Sequence, residues 1–125
     1  MPHLIIEYSG NLTDFDTSGA LKALNQAVAA SGQVADTLDI KARAVRQDTY
    51  FVGEPGEDQT RHGFVHVTLL LLAGRTPQAK LAISQSLMEV LQTLHYPPSL
   101  RVQFSVELRD MERETYGKAF RPASA

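Results

Sequence analysis

The sequence predicts an α+β fold: a duplicated βαβ unit forming a four-stranded mixed sheet with two helices on one face. Three observations carry this expectation. Apolar runs of period two alternate with apolar stripes of helical period in the order β-α-β, loop, β-α-β. Two strand-to-helix turns, Tyr8-Ser9-Gly10-Asn11 and Leu72-Ala73-Gly74-Arg75, stand 64 residues apart. The length of 125 residues matches one ordinary domain, enough to bury a core without a metal or a disulfide.

Leu4-Ile5-Ile6-Glu7-Tyr8 reads as a strand closed by the turn at Ser9-Gly10-Asn11. Leu21, Leu24 and Val28 then recur at helical spacing. Asp14, Asp16, Thr17 and Ser18 supply caps before them, and Ser31-Gly32 supplies a stop. From Leu38 to Tyr50, Leu38, Ile40, Ala42 and Ala44 alternate with Asp39, Lys41 and Arg43, which predicts a strand with one charged face. Gly53-Glu54-Pro55-Gly56 is a loop, and Phe64 to Leu72 is a near-continuous apolar strand. Thr76-Pro77 opens a second helix, with Leu81, Leu87, Met88, Leu91 and Leu94 as its expected buried stripe. Tyr96-Pro97-Pro98 ends it, and Leu100 to Leu108 is the last strand.

The expected organisation is therefore one domain over 1–125, with βαβ units at about 2–50 and 64–108. A polar tail over 109–125 is expected to order only against a neighbour. Within each unit the two strands should be parallel with a right-handed crossover. Two helices on one face leave the other sheet face for a partner subunit.

Composition removes several classes of function. There is no cysteine, which excludes thiolate catalysis, zinc–thiolate sites and iron–sulfur clusters. A net charge of −2 gives no global field for nucleic acid or an anionic membrane. The apolar run from Val67 to Ala73 is far short of the roughly 20 residues of a membrane helix. No secretory signal is expected at the N-terminus, and a cytoplasmic location is the baseline. His3, His62, His66 and His95 lack metal-ligand spacing on a common helix, so no metal site is expected. Neither a phosphate-cradling glycine loop nor a G-x-S-x-G elbow occurs.

The N-terminus offers a different chemistry. Pro2 follows the initiator methionine, and a small second residue normally allows that methionine to be removed. Removal would leave a secondary amine. An α-amine titrates near ~8, far below lysine, and apolar surroundings or nearby cations lower it further. A base near neutrality suits proton transfer next to a carbonyl. Pro2 also suits the plain role of starting a strand.

Met1-Pro2-His3-Leu4-Ile5-Ile6-Glu7, Phe64-Val65-His66-Val67-Thr68-Leu69 and Ala73-Gly74-Arg75-Thr76 together resemble the 5-carboxymethyl-2-hydroxymuconate isomerase family of the tautomerase superfamily. The likeness runs from Pro2 to about Glu107. It implies a tautomerase-like homotrimer with active sites near subunit interfaces and no cofactor. It further implies a small carboxylated dienol as substrate, ketonised by proton transfer through the amino-terminal proline during homoprotocatechuate breakdown. Pro2 matches the family base, and Arg75 matches the arginine of the Ala-Gly-Arg turn. Arg75 also stands at a helix N-terminus, where an anion is favoured.

Close relatives carry arginine where this chain has Lys41. That exchange keeps the charge and loses the planar fork. Arg43 shares its sheet face, and Arg101 holds the equivalent place in the second half. Pro2 and Arg75 are thus the expected catalytic residues, and Lys41, Arg43 and Arg101 the expected substrate-binding ones. His66 is expected roughly where the first half has Pro2, which leaves one site per subunit. Lys41 keeps open a drifted substrate or reaction, and the scaffold alone also admits a non-catalytic trimeric binding module.

Overall fold

The computed structural model describes residues 1–124. In chain order it forms β1 (His3–Ser9), α1 (Thr17–Ala30), β2 (Lys41–Gln47), β3 (His62–Leu72), α2 (Pro77–Thr93) and β4 (Arg101–Met111). One four-stranded sheet runs in the order β2-β1-β3-β4. β1 pairs with β2 in parallel, β3 with β4 in parallel, and β1 with β3 antiparallel, so two βαβ units meet edge to edge. The mixed sheet and duplicated topology agree with the sequence reading.

Each helix starts where its local chemistry dictates. Asp16 accepts a hydrogen bond from the Gly19 N–H at 2.9 Å, and Thr76 accepts from the Ala79 N–H at 3.1 Å. Pro77 takes the first helical position. The chain leaves α1 through Ser31 and Gly32, whose φ of 74° is left-handed and free of cost only for glycine.

The helices cover one sheet face. Leu4 and Ile6 of β1 and Val65, Val67, Leu69 and Leu71 of β3 point into that layer, where they meet Ala20, Leu24 and Val28 of α1 and Ile83, Leu87 and Leu91 of α2. Alternation along paired strands explains the set, since every second residue faces the helices. Tyr8, Phe15, Tyr96 and Phe104 close one end as successive ring contacts of 4.9, 5.9 and 5.1 Å between centroids.

Three expectations are corrected. Leu38 lies in a 3₁₀ turn (Thr37–Asp39) and is 86% exposed, because Asp36 caps that turn and the strand begins only at Lys41. Leu81 is 58% exposed; the stripe of α2 runs through Ile83, Leu87 and Leu91, one helical row away. β4 continues to Met111 beside Leu72, so the tail starts at 112 and not at 109. The buried faces of the two units repeat at a constant offset, Leu4 and Ile6 with Val67 and Leu69, Leu24 and Val28 with Leu87 and Leu91, so the place of Pro2 falls at Val65 beside His66, where no free amine exists.

Candidate active site

The start of β1 lies at the end of the sheet where β3 finishes. His3 pairs with Leu70 on one side and Lys41 on the other. Pro2 is buried, and its carbonyl accepts from the Lys41 backbone N–H at 3.0 Å. Pro2 keeps the parity of Leu4 and Ile6, so it belongs to the helix side of the sheet, while His3, Lys41 and Arg43 belong to the other side.

Met1 precedes Pro2, so the free amine is that of Met1 and the Pro2 nitrogen is an amide. The Met1 ammonium donates to the Asp39 carbonyl at 2.9 Å and stands 3.6 Å from its carboxylate. Partial burial lowers the pKa of this amine, and the charges of Lys41 and Lys118 lower it further, against an opposing pull from Asp39. The Met1 ammonium therefore gives up its proton more readily than an ordinary chain terminus.

The tail supplies the rest of the corner. Expected to order only against a neighbour, it instead folds back on its own chain. The Lys118 ammonium pairs with Asp39, His3 Nε2 lies 2.8 Å from the Tyr116 hydroxyl, and Arg113 donates to the Ala73 carbonyl at 2.5 Å. A cavity of 610 Å³ opens between this tail and the start of β2, lined by Asp36, Leu38, Asp39, Lys41 and residues 116–120. A second depression of 390 Å³ between the helices has Glu89 as its only ionisable side chain, a poor set for chemistry. Among the described residues no group of three or more His, Asp or Glu could hold a metal ion.

The predicted site residues divide by position. Lys41 is exposed at the cavity. Arg43, two residues on and on the same face, lies with Nη1 3.3 Å from His3 Nδ1. Arg75 stands at the end of β3, next to the strand that carries Pro2. Its Nη1 donates to the Leu72 carbonyl at 2.9 Å and its Nη2 to the Gln33 carbonyl at 2.6 Å, while buried Nε has no partner. Two of its five N–H groups are thus spent on tying the β3–α2 turn to the loop after α1. Arg101 is separated from the others. It pairs with His62, and the stretch of β3 from His62 to Leu70 amounts to about 26 Å of rise. The structure thus gathers Pro2, Lys41, Arg43 and Arg75 at one end of the subunit and leaves Arg101 at the other.

His3, Asp39, Tyr116 and Lys118 were missed from the sequence. Only the alternation of Tyr116, Lys118 and Phe120 hinted at an extended segment with one shared side.

Comparison with known proteins agrees with this architecture. The sequence profile of the family described as CHMI, 5-carboxymethyl-2-hydroxymuconate isomerase, matches residues 2–120, which includes the folded-back tail. The 5-carboxymethyl-2-hydroxymuconate Delta-isomerase of Escherichia coli is 30% identical over 94 residues, 74% of this chain and 71% of that protein. A crystal structure of a 5-carboxymethyl-2-hydroxymuconate isomerase from Deinococcus radiodurans R1 superposes with a TM-score of 0.81 at 26% identity, covering 94% of this chain and 88% of the other. A structure described as a fused 4-OT wild-type symmetric trimer superposes with a TM-score of 0.65 at 27% identity, covering 94% and 91%. With a family match over nearly its whole length and this fold, the chain belongs to the 5-carboxymethyl-2-hydroxymuconate isomerase family of the tautomerase superfamily and is an isomerase.

Proposed function

We propose that the protein ketonises 5-carboxymethyl-2-hydroxymuconate, or a closely similar carboxylated dienol, by proton transfer through the Pro2 amine once Met1 is removed. The observation that carries the reading is the placement of the chain start at the corner of Asp39, Lys41 and Lys118 beside the 610 Å³ cavity. Burial and the two lysines favour a neutral Met1 amine there against the pull of Asp39, and the same surroundings should act alike on a Pro2 amine. A neutral secondary amine there takes the 2-hydroxyl proton of the dienol and returns a proton to carbon, leaving the conjugated ketone. No cofactor takes part.

The cations divide the remaining work. Lys41 attracts a substrate carboxylate at the cavity, and Arg43 adds positive charge on the same face. Arg75 acts from the neighbouring strand end: Nη1 and Nη2 each keep a second hydrogen beyond those given to Leu72 and Gln33, enough to hold an anionic oxygen. Arg101 lies too far along its own subunit to reach the same substrate, and takes part only if a neighbouring subunit brings it in. A homotrimer, as in the related 4-OT structure, provides that route and covers the helix-free sheet face. The expected setting is homoprotocatechuate breakdown in the cytoplasm.

Ultraviolet-followed ketonisation tests the reading, using two preparations resolved by intact mass. Protein beginning at Pro2 should turn the dienol over, and protein retaining Met1 should not exceed the solvent rate. Equal rates in both would rule out the terminal amine as the base.

A further inference from the structure

The observations carry one step further, resting on the reading above and naming a substrate contact it lacks. They begin with Arg43. A guanidinium has only donors, so across the 3.3 Å contact with Arg43 Nη1 the His3 Nδ1 must accept. A neutral imidazole carries one N–H, which is then on Nε2. Burial, with Arg43, Lys41 and the terminal ammonium nearby, lowers the His3 pKa and keeps the ring neutral near pH 7.

The Nε2–H therefore donates to the Tyr116 hydroxyl oxygen, 2.8 Å away. With His3 as its donor, Tyr116 cannot give its own proton back to that ring. No other partner for the hydroxyl occurs among the described residues, and Tyr116 lines the cavity together with Lys41 and Lys118. The tail is held in this place independently by the ion pair of Lys118 with Asp39 and by Arg113 on the Ala73 carbonyl.

We propose that Tyr116 is a substrate-binding residue, its hydroxyl proton turned by the Arg43–His3 pair toward an anionic oxygen of the substrate in the cavity. The ligand class is an unsaturated dicarboxylate or its dienolate, with Lys41 and Lys118 supplying charge and Tyr116 supplying direction. Arg43 and His3 are positioning residues. A site whose donor has been committed in this way discriminates against molecules lacking an acceptor at that point, because the hydroxyl would be left unpaired.

The test uses protein beginning at Pro2 and cis,cis-muconate, an unreactive dicarboxylated diene, as the probe. Calorimetry should show Tyr116→Phe binding muconate roughly tenfold more weakly, the loss typical of a hydrogen bond to a charged group. In ketonisation the same variant should raise KM with little change in kcat, while its tail amide signals stay as in the wild type, which separates a lost hydroxyl from a loosened tail. Nitrogen-15 spectra of the wild-type protein should show His3 protonated on Nε2, which decides the matter alone should Tyr116→Phe not fold. Equal muconate binding by both proteins, no muconate binding by the wild type, or a His3 proton on Nδ1 would each overturn the proposal. Muconate binding that depends on Tyr116 without any ketonisation would support it and instead refute the proton-transfer reading.

Discussion

Replacing Lys41 by methionine separates two effects that its single charge is expected to have. The side chain stands exposed at the first position of β2 and lines the cavity, while its backbone N–H, which holds the Pro2 carbonyl at 3.0 Å, is untouched by the change. Methionine keeps the aliphatic stem. Two unit charges ~4 Å apart attract by about 1 kcal/mol in water and about 4 kcal/mol at an effective dielectric of ~20. An exposed lysine belongs near the lower figure, so roughly 1–1.5 kcal/mol of substrate attraction is lost and KM rises about 5- to 10-fold. The second effect has a definite sign. Lys41 lowers the pKa of the Met1 amine by disfavouring the ammonium, and the same cation should act in the same direction on a Pro2 amine. Without it that pKa rises, less free base is present at a given pH, and the acid limb of kcat/KM moves to higher pH. Steady-state kinetics over pH on protein beginning at Pro2 measures both. Lys41→Arg is the control, retaining the charge and hence the position of the limb. If Lys41→Met changed neither KM nor the limb, Lys41 would have no part in the site.

An extra glycine placed before Pro2 converts the amine into an amide and should abolish ketonisation while the circular dichroism spectrum stays unchanged. Leu87→Ala removes a fully buried side chain from the α2–sheet contact and should cost about 2–5 kcal/mol. At a fixed protein concentration this lowers Tm by about 8–20 °C, and a drop under ~2 °C would contradict the packing. Gly74→Ala forces a side chain onto a φ of 128°, with its Cβ 3.4 Å from Arg113 Nη2. About 1–3 kcal/mol of destabilisation is expected, seen as a lower urea midpoint. Asp39 has its pKa lowered chiefly by the Lys118 hydrogen bond. Its contribution is therefore present above the ordinary carboxylate range and lost as pH falls through the depressed value. Tail amide signals should sharpen in that acid window, and tail signals indifferent to pH would contradict the ion pair.

The fold was legible because each element carries its own period and punctuation. Thr76-Pro77 fixed the start of α2, and alternation in β1 and β3 identified the buried face. The errors share one cause: local pattern does not know which neighbour competes. Leu38 continued an alternating run on paper, yet Asp36 captures the Leu38 N–H and turns the chain before the strand begins. Leu81 sat in an apolar row, but the sheet presents itself to the row of Ile83 and Leu87. The site was half legible. Pro2, Lys41 and Arg75 fall at one end of the sheet for reasons of strand order that the duplication already implied. Tyr116 and Lys118 lay beyond the last predicted strand, where alternation gave only a hint, and their role depends on long-range contacts to His3 and Asp39 that no spacing encodes.

The central claim is that the Pro2 nitrogen is the base. Nitrogen-15 titration of that single atom, in protein beginning at Pro2, tests it most directly. The expected result is an amine titrating below the ordinary α-amine value near ~8, with a midpoint that coincides with the acid limb of kcat/KM for the dienol. An amine that titrates at or above the ordinary value, or an activity profile that ignores its titration, would contradict it.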